Sequence, residues 1–288
     1  MTADVDLPGF FKDADAASLK AQRTYLALNR VRLWSALVGA FGGTVTWEAV
    51  SLDVGALVAL GGFLAALIAE LVLAYLQPER DWYSGRALAE SMKTMAWCFA
   101  VGGEPFGLEL DEGTARQLLR NRAGLLVQKG GDRIAVSAAS PLVTEAMTAL
   151  RNSDFATRRA TYLEHRTQNQ RAWYALKARS DQRRADVWRA ALVAAEIIAV
   201  SLATLRAFGL SELDLAGILG AAIGAGAAWL ALKQYAQLAA AYSLASRELA
   251  LQEDLLSQVS ERDWPRAVAD AEEAISREHT MWLASRSG

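Results

Sequence analysis

Residues 215–232 read LAGILGAAIGAGAAWLAL, eighteen positions with neither a charge nor a polar stripe. As a helix the stretch extends roughly 27 Å, close to the hydrocarbon thickness of a bilayer. A soluble helix of this length carries a polar face where it meets water, so the stretch reads as a membrane span. The competing reading, a core helix of a soluble bundle, rests on the good helix propensity and weak apolarity of alanine.

Three further stretches resemble it. Residues 54–76 are long enough to span but contain Glu70, and residues 33–50 are interrupted only by Glu48 near the outer end. Residues 187–205 carry Arg189 near the start and Glu196 inside, where one central charge costs about 2.5–3.5 kcal/mol on insertion. The spans pair into two hairpins, 33–76 and 187–232. The expected fold is an all-α integral membrane protein of four transmembrane helices with long cytoplasmic helical extensions. The hairpins divide the chain into an N-terminal cytoplasmic helix (1–32), the first hairpin, a cytoplasmic helical region (77–186), the second hairpin and a helical tail (233–288).

Composition agrees with a part-membrane, part-soluble chain: 53% of 288 residues are hydrophobic. A single cysteine, Cys98, excludes an internal disulfide framework, and with only two histidines, His165 and His279, metal chemistry is a poor assignment. A net charge of -2 provides no field for nucleic acid. The acidic N-terminus lacks the short apolar run of a secretory signal. Basic residues cluster beside the spans at Arg23, Arg30, Arg32, Arg80, Arg86, Lys93, Arg179, Arg183, Arg184 and Arg189, whereas the short tips carry Asp53, Glu212 and Asp214, with Arg206 the exception. The positive-inside rule then places both termini and the middle region in the cytoplasm.

The halves share their flanks. Gln22-Arg23-Thr24-Tyr25 precedes the first hairpin and Gln170-Arg171-Ala172-Trp173-Tyr174 the second, with Trp34 and Trp188 opening the first helix of each. Both halves enter from the same side, a parallel duplication unlike the inverted repeats of many transporters. Helices are expected from Gln77 to Ala100, from Pro141 to Leu150, and from about Asp154 into the third span. The last span is expected to run on through residues 234–259. In 103–140 the pattern changes: GLLVQKGGDRIAVS holds two β-prone runs around Gly130-Gly131-Asp132 and suggests a small inserted β-hairpin.

The run VTEAMTALRNSDFATRRATYLEHRTQNQRAWYALKA, a hairpin, then AAYSLASRELALQEDLLSQV and EEAISREHTMWLA resemble the SLATT superfamily. RDWYSGRALAESMKTMAWCFAVGG, after the first hairpin, resembles another SLATT subfamily. The resemblance implies a bacterial inner-membrane effector, encoded near nucleotide second-messenger synthases or sensors and forming pores in antiphage or other conflict responses.

Glu70 and Glu196 are the intramembrane polar candidates. They either form an acidic ring in a homo-oligomer or pair locally with Arg189, Lys93 or a hydroxyl. Gly39 and Gly43, and Gly220 and Gly224, have the four-residue spacing that permits close helix approach in lipid, as do Gly62 and Ala66. Arg116, Arg120, Arg122, Arg158, Arg159, Arg183 and Arg184 suit either the phosphates of a nucleotide messenger or an anionic inner leaflet. No phosphate-cradling glycine loop accompanies them. Trp173, Tyr174, Trp264 and Trp282, with His279, read as packing between stalk helices. No nucleophile-base pair is visible, so no catalytic residue, metal or cofactor is assigned. The functional expectation is a pore-forming or membrane-perturbing homo-oligomer gated by a cytoplasmic ligand or sensor protein, against the alternative of a membrane-anchored scaffold that does not conduct.

Overall fold

The computed structural model describes residues 7–44, 48–49, 52–130, 141–209 and 215–287. Helices dominate: α1 (Gly9–Gly42), α2 (Val54–Leu76), α3 (Pro78–Val101), α4 (Glu112–Gly130), α5 (Glu145–Arg151), α6 (Phe155–Tyr162), a π-helical turn (Leu163–Gln168), α7 (Asn169–Ala207), α8 (Leu215–Lys233), α9 (Tyr235–Gln258) and α10 (Trp264–Ser287). A two-residue antiparallel ladder, β1 (Glu48–Ala49) against β2 (Leu52–Asp53), precedes α2.

Local chemistry sets the boundaries. Asp53 accepts a hydrogen bond from the Ala56 N–H at 3.1 Å and caps α2, and Asp154 caps α6 through the Thr157 N–H at 2.9 Å. The Asp154 carboxyl is held below the usual carboxylate range by the Thr157 N–H and hydroxyl bonds. α2 ends at Gln77, in the left-handed region with φ 47° and its N–H bonded to the Leu73 carbonyl at 3.0 Å. Pro78 then opens α3, where its missing N–H is harmless. α8 ends the same way: Gln234 has φ 50° and its N–H reaches the Leu230 carbonyl at 3.0 Å, and α9 starts at the next residue. The continuation expected for the last span is thus broken at one residue. A left-handed non-glycine costs about 1–2 kcal/mol, and both repeats carry one at the foot of an apolar helix.

One expectation changes. The β-prone run Gly124–Gln128 is the end of α4, so the expected β-hairpin loses its first arm. Leu126 and Val127 pack against a buried cluster that includes Ala14, Leu88 and Met92, and this burial outweighs β propensity. The second arm, in 131–140, lies outside the described residues. Among the described residues, three helices are long and apolar enough to cross a membrane: Val54–Leu76, the continuous helix Phe155–Ala207, and Leu215–Gln258. α1, which holds the start of the expected first span, ends at Gly42, ten residues beyond Arg32, a rise of roughly 15 Å; residues 45–47 and 50 of that span lie outside the described residues.

The chain divides into two units. Residues 1–22, 79–178 and 240–288 form a helical body, and residues 23–78 and 179–239 form a unit of apolar helices. The body holds every cluster of buried apolar side chains found among the described residues. At its centre Trp264, 2% exposed, meets the rings of Phe155 and Tyr162 edge-on at 5.6 and 5.7 Å, and donates its indole N–H to the Val101 carbonyl at 2.9 Å. Arg151 is sealed in beside it. It donates to the carbonyls of Phe106 at 2.6 Å, Gly107 at 2.9 Å and Phe99 at 3.1 Å, pinning the loop after α3.

In the other unit the end of α1 lies against α2 at backbone distance. A Cβ on Gly62 would come within 2.5 Å of the Gly39 nitrogen, and one on Gly42 within 2.5 Å of the Ala59 nitrogen. α7 meets α8 where Gly226 faces Leu192. Arg30 of α1 lies 5.5 Å over the Trp229 ring of α8, joining the two helix pairs.

Candidate functional site

On the apolar helices the two candidate glutamates have different surroundings. Glu70 of α2 forms an ion pair with Arg32 of α1, a partner absent from the sequence-based alternatives. Glu196 of α7 is exposed, and among the described residues it makes no ion pair or hydrogen bond. The glycines also divide. Gly39 and Gly62 are needed for the contact between α1 and α2, but Gly42 takes the place expected for Gly43, which has only ordinary contacts. The approaching face is therefore i, i+3 rather than i, i+4. Gly220 and Gly224 have nothing within 4 Å of a would-be Cβ, and Gly226 supplies the contact between α7 and α8 instead.

The basic clusters are dispersed by the fold. Arg116 donates to Glu112 at 2.7 Å and to the Thr148 hydroxyl at 2.8 Å, Arg120 donates to Gln117 at 3.1 Å, and Arg122 is exposed on another face of α4. Arg158 is buried and bridges to Glu261 at 2.9 Å, and Arg159 lies 5.1 Å over the Phe155 ring. Arg158, with Arg159 half-buried and reaching the Val259 carbonyl at 3.5 Å, ties α6 to the connection between α9 and α10. Arg183 is exposed and Arg184 pairs with Asp181 at 3.3 Å; with Arg179, Val187 and Trp188 they line an open groove of about 520 Å³.

Sequence reasoning missed the polar centre of the body. Glu272 of α10 is 1% exposed and receives four hydrogen bonds: Arg166 Nε at 2.8 Å, Arg166 Nη2 at 2.6 Å, Tyr162 Oη at 2.9 Å and Thr94 Oγ1 at 2.8 Å. Burial disfavours a charged guanidinium, but the Glu272 carboxylate more than offsets it and holds Arg166 protonated. Burial, then Glu272, pushes the Tyr162 phenol well above its ordinary value. Its sequence signal was thin: Tyr162 and Arg166 recur at helical spacing, but Glu272 lies more than one hundred residues on. Trp173 and Tyr174 do meet an aromatic partner, Tyr242 of α9, at 5.5 and 5.6 Å. The side chains of His279 and Trp282 lie outside the described residues.

Above this centre the body contains a cleft of about 430 Å³. α1 contributes Leu7 before its start, Phe11 and Asp15; α3 contributes Arg86, Glu90, Lys93 and Trp97; His165 and Arg166 come from the π-helical turn, followed by Trp173 of α7. A π turn widens the helix by one residue and is often found where a helix serves a site. Arg86 is shared between Asp15 at 3.2 Å and Glu90 at 2.6 Å. Lys93 lies 5.9 Å over the Phe11 ring, and burial, then Arg166, lowers its pKa.

Residues 8–159 match the family described as SMODS and SLOG-associating 2TM effector domain 3, and residues 162–282 match SMODS and SLOG-associating 2TM effector domain 1. No curated protein and no solved structure matches the chain. The boundary at residues 159–162 falls at the end of α6, so each match takes in one pair of apolar helices and part of the body. The chain is a membrane protein of the SLATT superfamily, built from two SLATT effector domains in tandem.

Proposed function

We propose that this SLATT protein acts in the bacterial inner membrane as a homo-oligomeric effector that opens a pore in, or perturbs, the bilayer during antiphage or related conflict responses. Its four apolar segments cross as two hairpins, with both termini and the body in the cytoplasm, the side favoured by the arginines. It is not an enzyme and binds no nucleic acid; its partners are the bilayer, other copies of itself, and a nucleotide messenger or sensor protein that gates it from the cytoplasm.

The observation that carries this reading is Glu196, exposed and unpaired on an apolar helix. A carboxylate on a lipid-facing surface is expensive, so it seeks water or another subunit. Gly220 and Gly224, with open space around them, offer a surface for close approach by a second helix. A ring of copies that turns Glu196 inward satisfies both and favours cations.

The alternative is a scaffold or sensor whose hairpins only anchor it. The Glu70–Arg32 pair favours it, since one of the two carboxylates is neutralised within the chain. Dye release and single-channel recording on liposomes carrying the purified protein separate the two, with candidate nucleotides or partner added. Conductance whose cation preference falls in Glu196→Gln supports the pore. A single stable monomer in nanodiscs, with intact vesicles under every condition, overturns it.

A further inference from the structure

The strongest unassigned feature is the cleft of the body. Its floor includes Arg166, 1% exposed, whose Nε and Nη2 are spent on Glu272 while Nη1 has no hydrogen-bond partner among the described residues. Beside it in the same π turn, His165 Nδ1 is also buried without a partner. An unmade bond on a buried guanidinium costs free energy, and such a cost persists where a second partner compensates it in use. Lys93 reaches the same cleft from α3, its ammonium held over an aromatic ring rather than in an ion pair. Three residues able to donate therefore line one cleft: Arg166, His165 and Lys93. The two carboxylates that line the cleft, Asp15 and Glu90, are both engaged by Arg86. The rest of the lining is the apolar and aromatic Leu7, Phe11, Trp97 and Trp173 with the amides of Asn169 and Gln170, and a volume of about 430 Å³ is that of a small-molecule site.

We infer that this cleft binds a small molecule in which an oxyanion, phosphate or carboxylate, is attached to a planar ring. The oxyanion accepts from Arg166 Nη1, His165 Nδ1 and Lys93 Nζ, and the ring lies against Phe11 and Trp173. Arg166 Nη1 and His165 Nδ1 are closed off from water, so the anion reaches them once a side chain turns aside. Lys93, on its flexible four-carbon stem, is the side chain freest to move. The guanidinium is already fixed by Glu272, which lowers the ordering cost of binding. The inference deepens the proposed cytoplasmic gating by locating its ligand, and as a binding claim it stands whether or not the protein conducts.

The test uses the full chain in detergent, with phenyl phosphate and benzoate as probes in isothermal titration. One saturable site per chain is expected, with Kd at or below about 1 mM, and the tighter probe identifies the oxyanion. Lys93→Gln and His165→Gln leave the Arg166–Glu272 pair intact, and each is expected to weaken binding about ten-fold or more. The double variant Arg183→Gln/Arg184→Gln, on the groove of the other unit, is expected to bind as the parent does. Thermal unfolding of each variant shows whether the fold is retained. Absence of saturable binding by both probes up to about 10 mM, or binding that survives Lys93→Gln and His165→Gln in folded protein, overturns the site. Binding in micelles with intact liposomes would sink the pore reading alone.

Discussion

α2 and α3 follow one another in sequence, separated by a single left-handed glutamine, yet they bury opposite kinds of residue. The buried positions of α2 are Gly55, Gly62 and Ala69, while Leu60, Leu64, Leu67 and Leu71 face outward. α3 buries Trp97, Phe99 and Val101 and turns its charges to the surface or the cleft. In water, the hydrophobic effect rewards hiding large apolar groups, and a helix acquires one apolar face. In lipid that drive between helices is absent, so large side chains meet the acyl chains and small ones sit where backbones approach. The contrast shows where the solvent changes along this chain.

The largest expected break in the comparison is at the body's polar centre. Arg166→Met strands the Glu272 carboxylate, 1% exposed, without its cation, and is expected to cost about 3–5 kcal/mol. Denaturant unfolding in detergent, followed by tryptophan fluorescence, measures it. An unchanged midpoint would mean that the pair is not buried. Next comes a matched pair on α9. Leu256→Ala, at a position 1% exposed, should cost about 2–5 kcal/mol. Leu251→Ala, 70% exposed and five residues earlier, should stay within about 0.5 kcal/mol. Equal effects would remove the assignment of α9's inner face.

Among the apolar helices, Gly62→Ala drives a methyl group into the backbone of α1, and a cost of about 1–3 kcal/mol is expected. Gly220→Leu has open space within the chain, so unfolding should be unaffected. A smaller oligomer in native mass measurement would place Gly220 between subunits, whereas an unaltered one would argue against that face as an interface. The smallest effect concerns the glutamine breaks. Gln77→Gly and Gln234→Gly relieve left-handed strain and should each stabilise by about 1 kcal/mol. A loss at either position would indicate that the glutamine side chain contributes more than its backbone strain costs.

The repeat was legible because flanking aromatics and the hairpin pattern survive in each half, and the membrane character of 54–76 and 215–232 followed from length and hydropathy alone. Resemblance in the flanks was enough to identify the superfamily. The candidate site was less legible. Glycine spacing identified Gly39 but gave Gly43 where the helix rotation selects Gly42, since a four-residue period cannot decide which neighbour faces the partner. Arg158 looked like a ligand group because a sequence shows charge but not the burial that ties it to Glu261.

Hydrophobic run length and composition by themselves marked 54–76 and 215–232 as able to cross a membrane, because transfer free energy is nearly a local property of the chain. The partner of each charge was decided only by tertiary structure. Glu272 reaches Arg166 across 106 residues and Arg32 reaches Glu70 across 38. Folding also placed a guanidinium with one unmade bond at the floor of a cleft. Such pairings depend on which helices are neighbours and how each is rotated, and no periodicity along one segment contains that information.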